Sequence, residues 1–250
     1  MTQNVVRQYS IDVLEPIREN IKRPSLAPYP MQANSTLAKG TVVAALTSNK
    51  QLTTFDSTRV AVPAAAPVVA NGAAGTVPAG NYTIGYTFVN ANGETTLSPV
   101  VQWSPGDSLH KGSVSAVTPL PTGATSVNWY ITALVGSPVL RLFKNNDGSA
   151  FVFDAADLTA ALAAVEPPLT NTCRAKTDGT AKAIGILRAD SISDANNLIT
   201  QGNTVLTEIL GELTTEVWIG GEFATAAITG LNADAIADLG GRQTSDSFIF

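Results

Sequence analysis

The sequence predicts a mainly β protein, built as a small β-rich domain that carries an inserted β-sandwich and is led by an extended N-terminal arm. Three observations predict it. Along Gly80–Pro99, "GNYTIGYTFVNANGETTLSP", the large residues Tyr82, Ile84, Tyr86 and Phe88 alternate with Thr83, Gly85, Thr87 and Val89, the period of a strand with one buried face. Turn signals recur at Asn92-Gly93, Pro105-Gly106, Thr122-Gly123, Gly136 and Asp147-Gly148. Charged residues make up only 14% of the 250, which points to sheet surfaces dressed with small polar side chains.

Residues 1–33 differ from the rest. Pro16, Pro24, Pro28 and Pro30 forbid a long helix and disfavour a central strand. Their apolar residues follow no sustained period, so the segment reads as an arm that orders by laying aliphatic side chains on a partner or adding a strand to its sheet. "LAKGTVVAAL" then gives a short strand after a Lys-Gly turn, "TSNK" a turn and "QLTTFD" a second strand, which together make a hairpin. The Pro/Ala/Gly-rich "VAVPAAAPVVANGAAG" marks a boundary.

The sandwich is expected over 63–172. Its candidate strands are Pro67–Ala70, Asn81–Asn90, Thr95–Ser104, Gly112–Val117, Ser126–Thr132, Val139–Phe143 and Ala150–Phe153. Val127, Trp129 and Ile131 face one way along their strand and Asn128, Tyr130 and Thr132 the other. Seven short strands in this length are the pattern of an immunoglobulin-like sandwich. Asp154 is placed to cap a helix over "AADLTAALAA", which Pro167-Pro168 ends.

Beyond it, Thr180–Asp190 and Thr214–Phe223 read as strands, and the stretch between them fits strand or helix equally. "GLNADAIADLGG" reads as a short helix with Asn232 as cap, Ile236 and Leu239 inward and Gly240 as the left-handed C′ residue. The terminal Phe248, Ile249 and Phe250 are expected to dock. Residues 34–62 offer one hairpin, marginal by itself. They and 173–250 are therefore expected to form one discontinuous domain, with the sandwich inserted in a surface loop.

A net charge of −5 argues against a nucleic-acid partner, since phosphate binding needs clustered Lys and Arg. Residues 1–60 carry seven Lys/Arg against four Asp/Glu, while 173–250 carry five against ten. The basic start suits an acidic partner, and equally a solvated segment. Cys173 stands alone, so no disulfide forms within the chain. No apolar h-region follows Met1, and the longest apolar tract is cut by Pro63 and Pro67, so neither a signal peptide nor a membrane span is expected.

Little here carries catalysis. His110 is the one histidine, in a Gly/Ser/Lys loop, and triads and metal sites need partners. Cys173 lacks a second thiol or histidine for a dyad. Asp234 and Asp238, four apart on one helix face, suit a cation or acid–base work, but a solvated face explains them better. Glu208, Glu212, Glu216 and Glu222 follow no calcium-loop spacing, and "NNDGS" (145–149) is explained by a plain turn. Tyr82, Tyr86, Trp103, Trp129 and Tyr130 would suit a sugar-stacking surface, yet strand aromatics are more often core. No catalytic residue, metal or cofactor is expected.

"ANSTLAKGTVVAALTSNKQLTTFD", "GTAKAIGILRAD", "VWIGGEF" and "GLNADAIADLGG", in that order, resemble the lambda-type phage head decoration proteins. The matching pieces are Gly40–Leu46, Leu52–Asp56, Ala183–Leu187, Val217–Glu222 and Asn232–Leu239. The departure from that pattern is the long interval between Asp56 and Ala183, whose sandwich is similar to modules of other phage virion proteins. The resemblance implies a β-tulip-like fold and a homotrimer at three-fold positions of the outer capsid surface, made in the host cytoplasm. It also implies that the arm packs on the major capsid protein, which makes Tyr9, Ile11, Val13, Leu14, Ile17, Ile21 and Arg23 the candidate contact residues. The sandwich would project outward and serve adhesion. The alternative is a tail or fibre component, or an adhesin, that binds a host-surface glycan; an enzyme ranks last.

Overall fold

The computed structural model describes residues 25–32, 34–106, 109–132, 139–160, 165–193, 199–201, 204–206, 214–222, 225–240 and 248–249. The protein is mainly β. Strands β1 (Ser25–Pro30), β2 (Thr36–Leu37), β3 (Val42–Ala45) and β4 (Leu52–Thr54) come first. They are followed by β5 (Val69–Ala74), β6 (Tyr82–Asn90), β7 (Gly93–Glu94), β8 (Val101–Trp103), β9 (His110–Val114), β10 (Ser126–Thr132), β11 (Leu140–Asn146), β12 (Phe151–Phe153) and helix α1 (Ala155–Ala160). The remainder holds β13 (Ala183–Leu187), β14 (Ser191–Ser193), β15 (Ile199–Gln201), β16 (Thr204–Leu206), β17 (Thr214–Glu222), helix α2 (Ala233–Gly240) and β18 (Phe248–Ile249). The chain divides into two compact units, 1–57 with 178–250, and 58–177.

The first unit is organised by the sheet β1-β17-β13-β3-β4. Met31, the residue after β1, bridges Leu52 of β4, so the two edges of the sheet meet and it curls nearly shut. Successive residues on its central strands enter two different cores. Val43, Leu187 and Val217 join Met31, Leu37 and Leu52 on one face. Val42, Ile186 and Trp218 join Ile228 and, from α2, Ala235 and Leu239 on the other. Burial on both faces explains why "TVVAAL" and "AIGIL" read as unbroken apolar runs. The terminal strand β18 pairs in parallel with Gly221 and Glu222 of β17. A second small sheet, β16-β15-β14-β2, has an inverted pattern on β14, where Ser191 and Ser193 are buried and Ile192 is exposed. Ser193 is buried because its hydroxyl donates to the Gln32 carbonyl and its backbone N–H to Ser35 O at 2.9 Å.

Three expectations are corrected in this unit. Residues 25–31 are not part of a free arm; β1 lies antiparallel to β17 from Ser25 to Pro30, and Met31 is core. In α2 the inward residue beside Leu239 is Ala235, whereas Ile236 is 42% exposed. The cap forms as expected, with Asn232 Oδ1 accepting the Ala235 N–H at 2.9 Å, and this phasing turns Ala235 inward. Gly240 closes the helix without the left-handed φ that other turn glycines such as Gly40 and Gly230 show.

The second unit is a two-sheet sandwich. One sheet runs β11-β10-β6-β7, with β8 beside the opposite end of β6; the other runs β12-β9-β5. Tyr82, Ile84, Tyr86, Phe88, Val127, Trp129, Ile131, Phe143 and Phe153 fill the space between them. An immunoglobulin sandwich keeps its first two strands in one sheet. Here β5 and β6 lie in different sheets, so the connections depart from that scheme. The strand expected over Thr95–Ser104 is interrupted. Thr95 and Ser98 accept the β6 backbone N–H groups of Phe88 and Tyr86 on their hydroxyls, at 2.9 and 3.0 Å. Those bonds stand in for ladder pairing and let Leu97 fold over Gly85. The hairpin turn is also one residue earlier than expected, at Ala91-Asn92, because Asn90 pairs with Gly93.

The sandwich begins and ends five residues outside the expected 63–172. Arg59 and Arg174 form an antiparallel bridge. Val60 N–H donates to Cys173 O and Ala175 N–H to Thr58 O, both at 2.8 Å. In the first unit, Asp56 N–H likewise donates to Thr180 O at 2.9 Å. In each unit the outgoing and returning chains thus run side by side, as insertion into a loop requires.

Asp154 caps α1 as its position suggests. Its Oδ1 accepts from Thr76 N–H and Oγ1 at 2.7 Å each, and from Ala155 N–H at 2.8 Å. Asp157 returns the bond to the Asp154 N–H at 2.7 Å, an acidic version of the capping box. The Thr76 hydroxyl, then the Thr76 and Ala155 amides, with Lys111 adding a minor pull, lower the Asp154 carboxyl from 3.8 to about 2. A depressed carboxyl stabilises the fold above its unfolded value and loses that effect as pH falls through the folded value. The second unit should therefore weaken as pH drops from the range of an ordinary carboxyl toward about 2. In Asp154→Asn, denaturant midpoints measured across that range should change less with pH than in the parent. An unchanged pH profile would reject the assignment.

Candidate functional site

The residues singled out for chemistry have structural work in the described fold. His110 starts β9, and its Nδ1 lies 3.0 Å from Gly72 O on the neighbouring strand β5. Cys173 is buried in the sandwich core, and burial pushes its thiol above the ordinary value, away from the reactive thiolate. Asp238 accepts the Ala183 N–H at 2.9 Å and so ties α2 to β13. Its partner in the proposed carboxylate pair, Asp234, lies in the first turn of α2, where a carboxylate favours the helix N-terminus. Glu216 pairs with Arg188 across the β17–β13 edge. In the NNDGS turn, Asp147 Oδ1 accepts from Ser149 N–H at 3.0 Å and from its hydroxyl at 2.5 Å, which holds the carboxyl below its usual range. Among the described residues no group of three or more His, Cys, Asp or Glu stands ready for a metal ion. Glu208 and Glu212 lie outside the described residues.

The five aromatics considered for sugar stacking are all buried. The Tyr86 ring lies tilted against Trp129 and the Trp103 ring edge-to-face with Phe153, each pair with centroids 5.3 Å apart, and both pairs belong to the core between the sheets. A glycan platform is not built from these residues. Tyr130 faces the other way but is covered. Its hydroxyl donates to Glu94 Oε1 at 2.6 Å, and the Thr87 hydroxyl donates to the same oxygen. Burial first, and then the Glu94 carboxylate, push the Tyr130 phenol well above its ordinary range. Glu94 therefore fastens β7 to the buried outer face of β6 and β10. Only a reading of cross-strand register would have found this, because Tyr130 lies 36 positions from Glu94 and meets it through the pairing of β10 with β6.

Asn90 and Asn92 are a second group that spacing did not reveal. Asn90 Nδ2 donates to Gly123 O and Arg174 O at 2.7 Å each. Asn92 Nδ2 donates to Lys176 O at 2.5 Å and Arg174 O at 3.2 Å. The hairpin tip thereby clamps the segment by which the chain leaves the sandwich.

What remains is the leading part of the first unit. The candidate contact residues Tyr9, Ile11, Val13, Leu14, Ile17, Ile21 and Arg23 lie outside the described residues. The described chain takes up at β1, an outer strand of the curled sheet, where Tyr29 packs against the core formed by Met31, Leu37 and Leu52. Residues 1–24 are thus joined directly to a sheet edge and not to a loose linker. Among the described residues no helix is long and apolar enough to cross a membrane.

The fold defines the class as a mainly β chain in which a discontinuous unit carries an inserted sandwich. No protein-family model matches the chain, and neither does any curated protein.

Proposed function

We propose that this protein decorates the outside of a bacteriophage capsid. In this reading it binds as a trimer and cements neighbouring subunits of the major capsid protein. The observation that supports it is the gathering of the five segments that resemble lambda-type decoration proteins. Gly40–Leu46, Leu52–Asp56, Ala183–Leu187 and Val217–Glu222 hold β3, β4, β13 and the end of β17, successive strands of one sheet, and Asn232–Leu239 holds the helix packed on that sheet. They form one unit although 126 residues separate Asp56 from Ala183.

The mechanism follows from the arm. Residues 1–24 carry the aliphatics Val5, Val6, Ile11, Val13, Leu14, Ile17 and Ile21 with four Lys/Arg. Laid on capsid subunits, they would bury apolar surface at about 25 cal/mol per Å². Three arms held by one trimer raise the effective concentration of each, so weak single contacts sum to firm attachment. A ligand that binds only the assembled shell stabilises it by mass action. No catalysis enters this function, and the sandwich would project from the shell as a surface module.

The test is to mix purified protein with undecorated capsids of the virus that encodes it and image them by electron microscopy. Trimer-shaped density at three-fold positions is expected, with a free-solution mass about three times 25.9 kDa by light scattering. Capsids that stay bare, or binding confined to tails or host cells, would overturn the reading and favour an adhesin.

A further inference from the structure

The chain has two Asn-Gly dipeptides, Asn71-Gly72 and Asn92-Gly93, and the fold treats them oppositely. Asn-Gly is the sequence most open to spontaneous deamidation, because glycine lets its backbone nitrogen reach the preceding side chain. The Gly nitrogen bonds to the Asn Cγ, and the bond from Cγ to the side-chain amide breaks. Ammonia leaves with the proton from the Gly nitrogen. Water then opens the cyclic imide at either carbonyl, giving aspartate or isoaspartate. Water is the only co-reactant.

We propose that Asn71 is a self-modifying site in the folded protein, whereas Asn92 is locked against the same reaction. Asn71 is exposed on β5, an outer strand of its sheet, and the pairing with β9 is irregular between Asn71 and Ala74. The register shift leaves Gly72, whose nitrogen must attack, without a Cα partner in the ladder. The Trp103 Nε1–H donates to Asn71 Oδ1 at 2.9 Å and leaves the amide nitrogen free to depart. That donor also draws charge from the carbonyl under attack, the effect an oxyanion hole exploits.

Asn92 is exposed as well, but its side chain and backbone are tied down by hydrogen bonds. Its Nδ2, the group that must leave, donates to two carbonyls, and its backbone N–H donates to Asn90 Oδ1 at 2.8 Å. Gly93 is pressed against Thr172, whose Oγ1 would sit 2.5 Å from a Cβ there. The consequences differ in the same sense. A carboxylate at 71 still accepts from Trp103, and an extra main-chain methylene falls where the ladder is already irregular. A carboxylate at 92 would set an acceptor against the Arg174 and Lys176 carbonyls and open the clamp.

The test is peptide mapping by mass spectrometry, with isoaspartate detection, after incubating the full chain at mildly alkaline pH. In urea both dipeptides should convert at similar rates. In the folded protein Asn71 should convert at least about tenfold faster than Asn92, a barrier difference of about 1.4 kcal/mol. Asn71→Gln, which keeps the acceptor for Trp103, should abolish the new acidic species seen by isoelectric focusing. Folded protein in which Asn92 converts as fast as Asn71, or in which neither converts while both do in urea, would overturn the proposal.

Discussion

Removal of residues 1–33 is expected to unfold the first unit, and removal of 1–24 to leave it folded. The longer deletion takes away β1, which pairs with β17 from Gly220 to Thr214, and the buried Met31 that joins the two sheet edges. Truncating one buried methionine costs about 2–5 kcal/mol. A whole strand and its bridge are lost here, against a total stability of about 5–15 kcal/mol for a domain. The bared edge of β17 would also offer unpaired N–H and C=O groups to other chains. Urea titration followed by tryptophan fluorescence checks this, since Trp218 reports the first unit and Trp103 and Trp129 the second. The shorter deletion should keep both transitions and the longer one only that of the sandwich. Two intact transitions after deletion to residue 33 would show that β1 is dispensable. The shorter deletion also isolates the arm: loss of capsid binding with both units folded would assign binding to 1–24.

Trp129→Ala should destabilise the sandwich by about 3–5 kcal/mol, the usual range for emptying a large aromatic from a core. Trp129 is fully buried, 5.3 Å from the Tyr86 ring and 5.1 Å from Phe151, and so bridges strands of both sheets. Its Nε1–H donates to Asn146 Oδ1 at 2.9 Å. That oxygen also accepts the Gly148 N–H at 3.0 Å, so the indole is pinned to the turn that ends β11. Trp129→Phe keeps most of the packing but loses the donor, and should cost less, about 1–3 kcal/mol. The first unit's transition should not move in either variant. A loss below about 1 kcal/mol for Trp129→Ala, the range of an average substitution, would show that the sandwich closes over the cavity.

The strands that follow a period were legible in sequence because each buries one face or both. Ser126–Thr132 is found at its expected limits, and Tyr82–Phe88 turns its large residues to the core. Long-range pairing was not legible. Ser25–Pro30 carries two prolines and no alternation, and only the edge of β17 makes it a strand. Ser193 is hidden because Gln32 and Ser35 satisfy it, an arrangement set by residues about 160 positions away, whereas the Ser191 hydroxyl donates to Ala189 O at 3.0 Å. Ala235 outranked Ile236 because the Asn232 cap fixes the helix phase, and a small residue suits a helix lying close on a sheet. At the candidate site, the motifs named the elements of the first unit, but nothing in them foretold that residues 25–31 would be spent on closing its sheet.

The placement of the sandwich within the first unit sets an order of events during synthesis. Strands β3 and β4 leave the ribosome early, yet β13 and β17, which complete their sheet, follow only after 58–177 has been made. At 5–20 residues per second those 120 residues take roughly 6–24 s. The sandwich has all its strands in hand before its host has half of them, so it is expected to fold first. The host must then close contacts of high sequence separation, which are slow to form from an open chain. A folded insert whose ends lie side by side shortens that search, because Asp56 and Thr180 are already neighbours when β13 arrives.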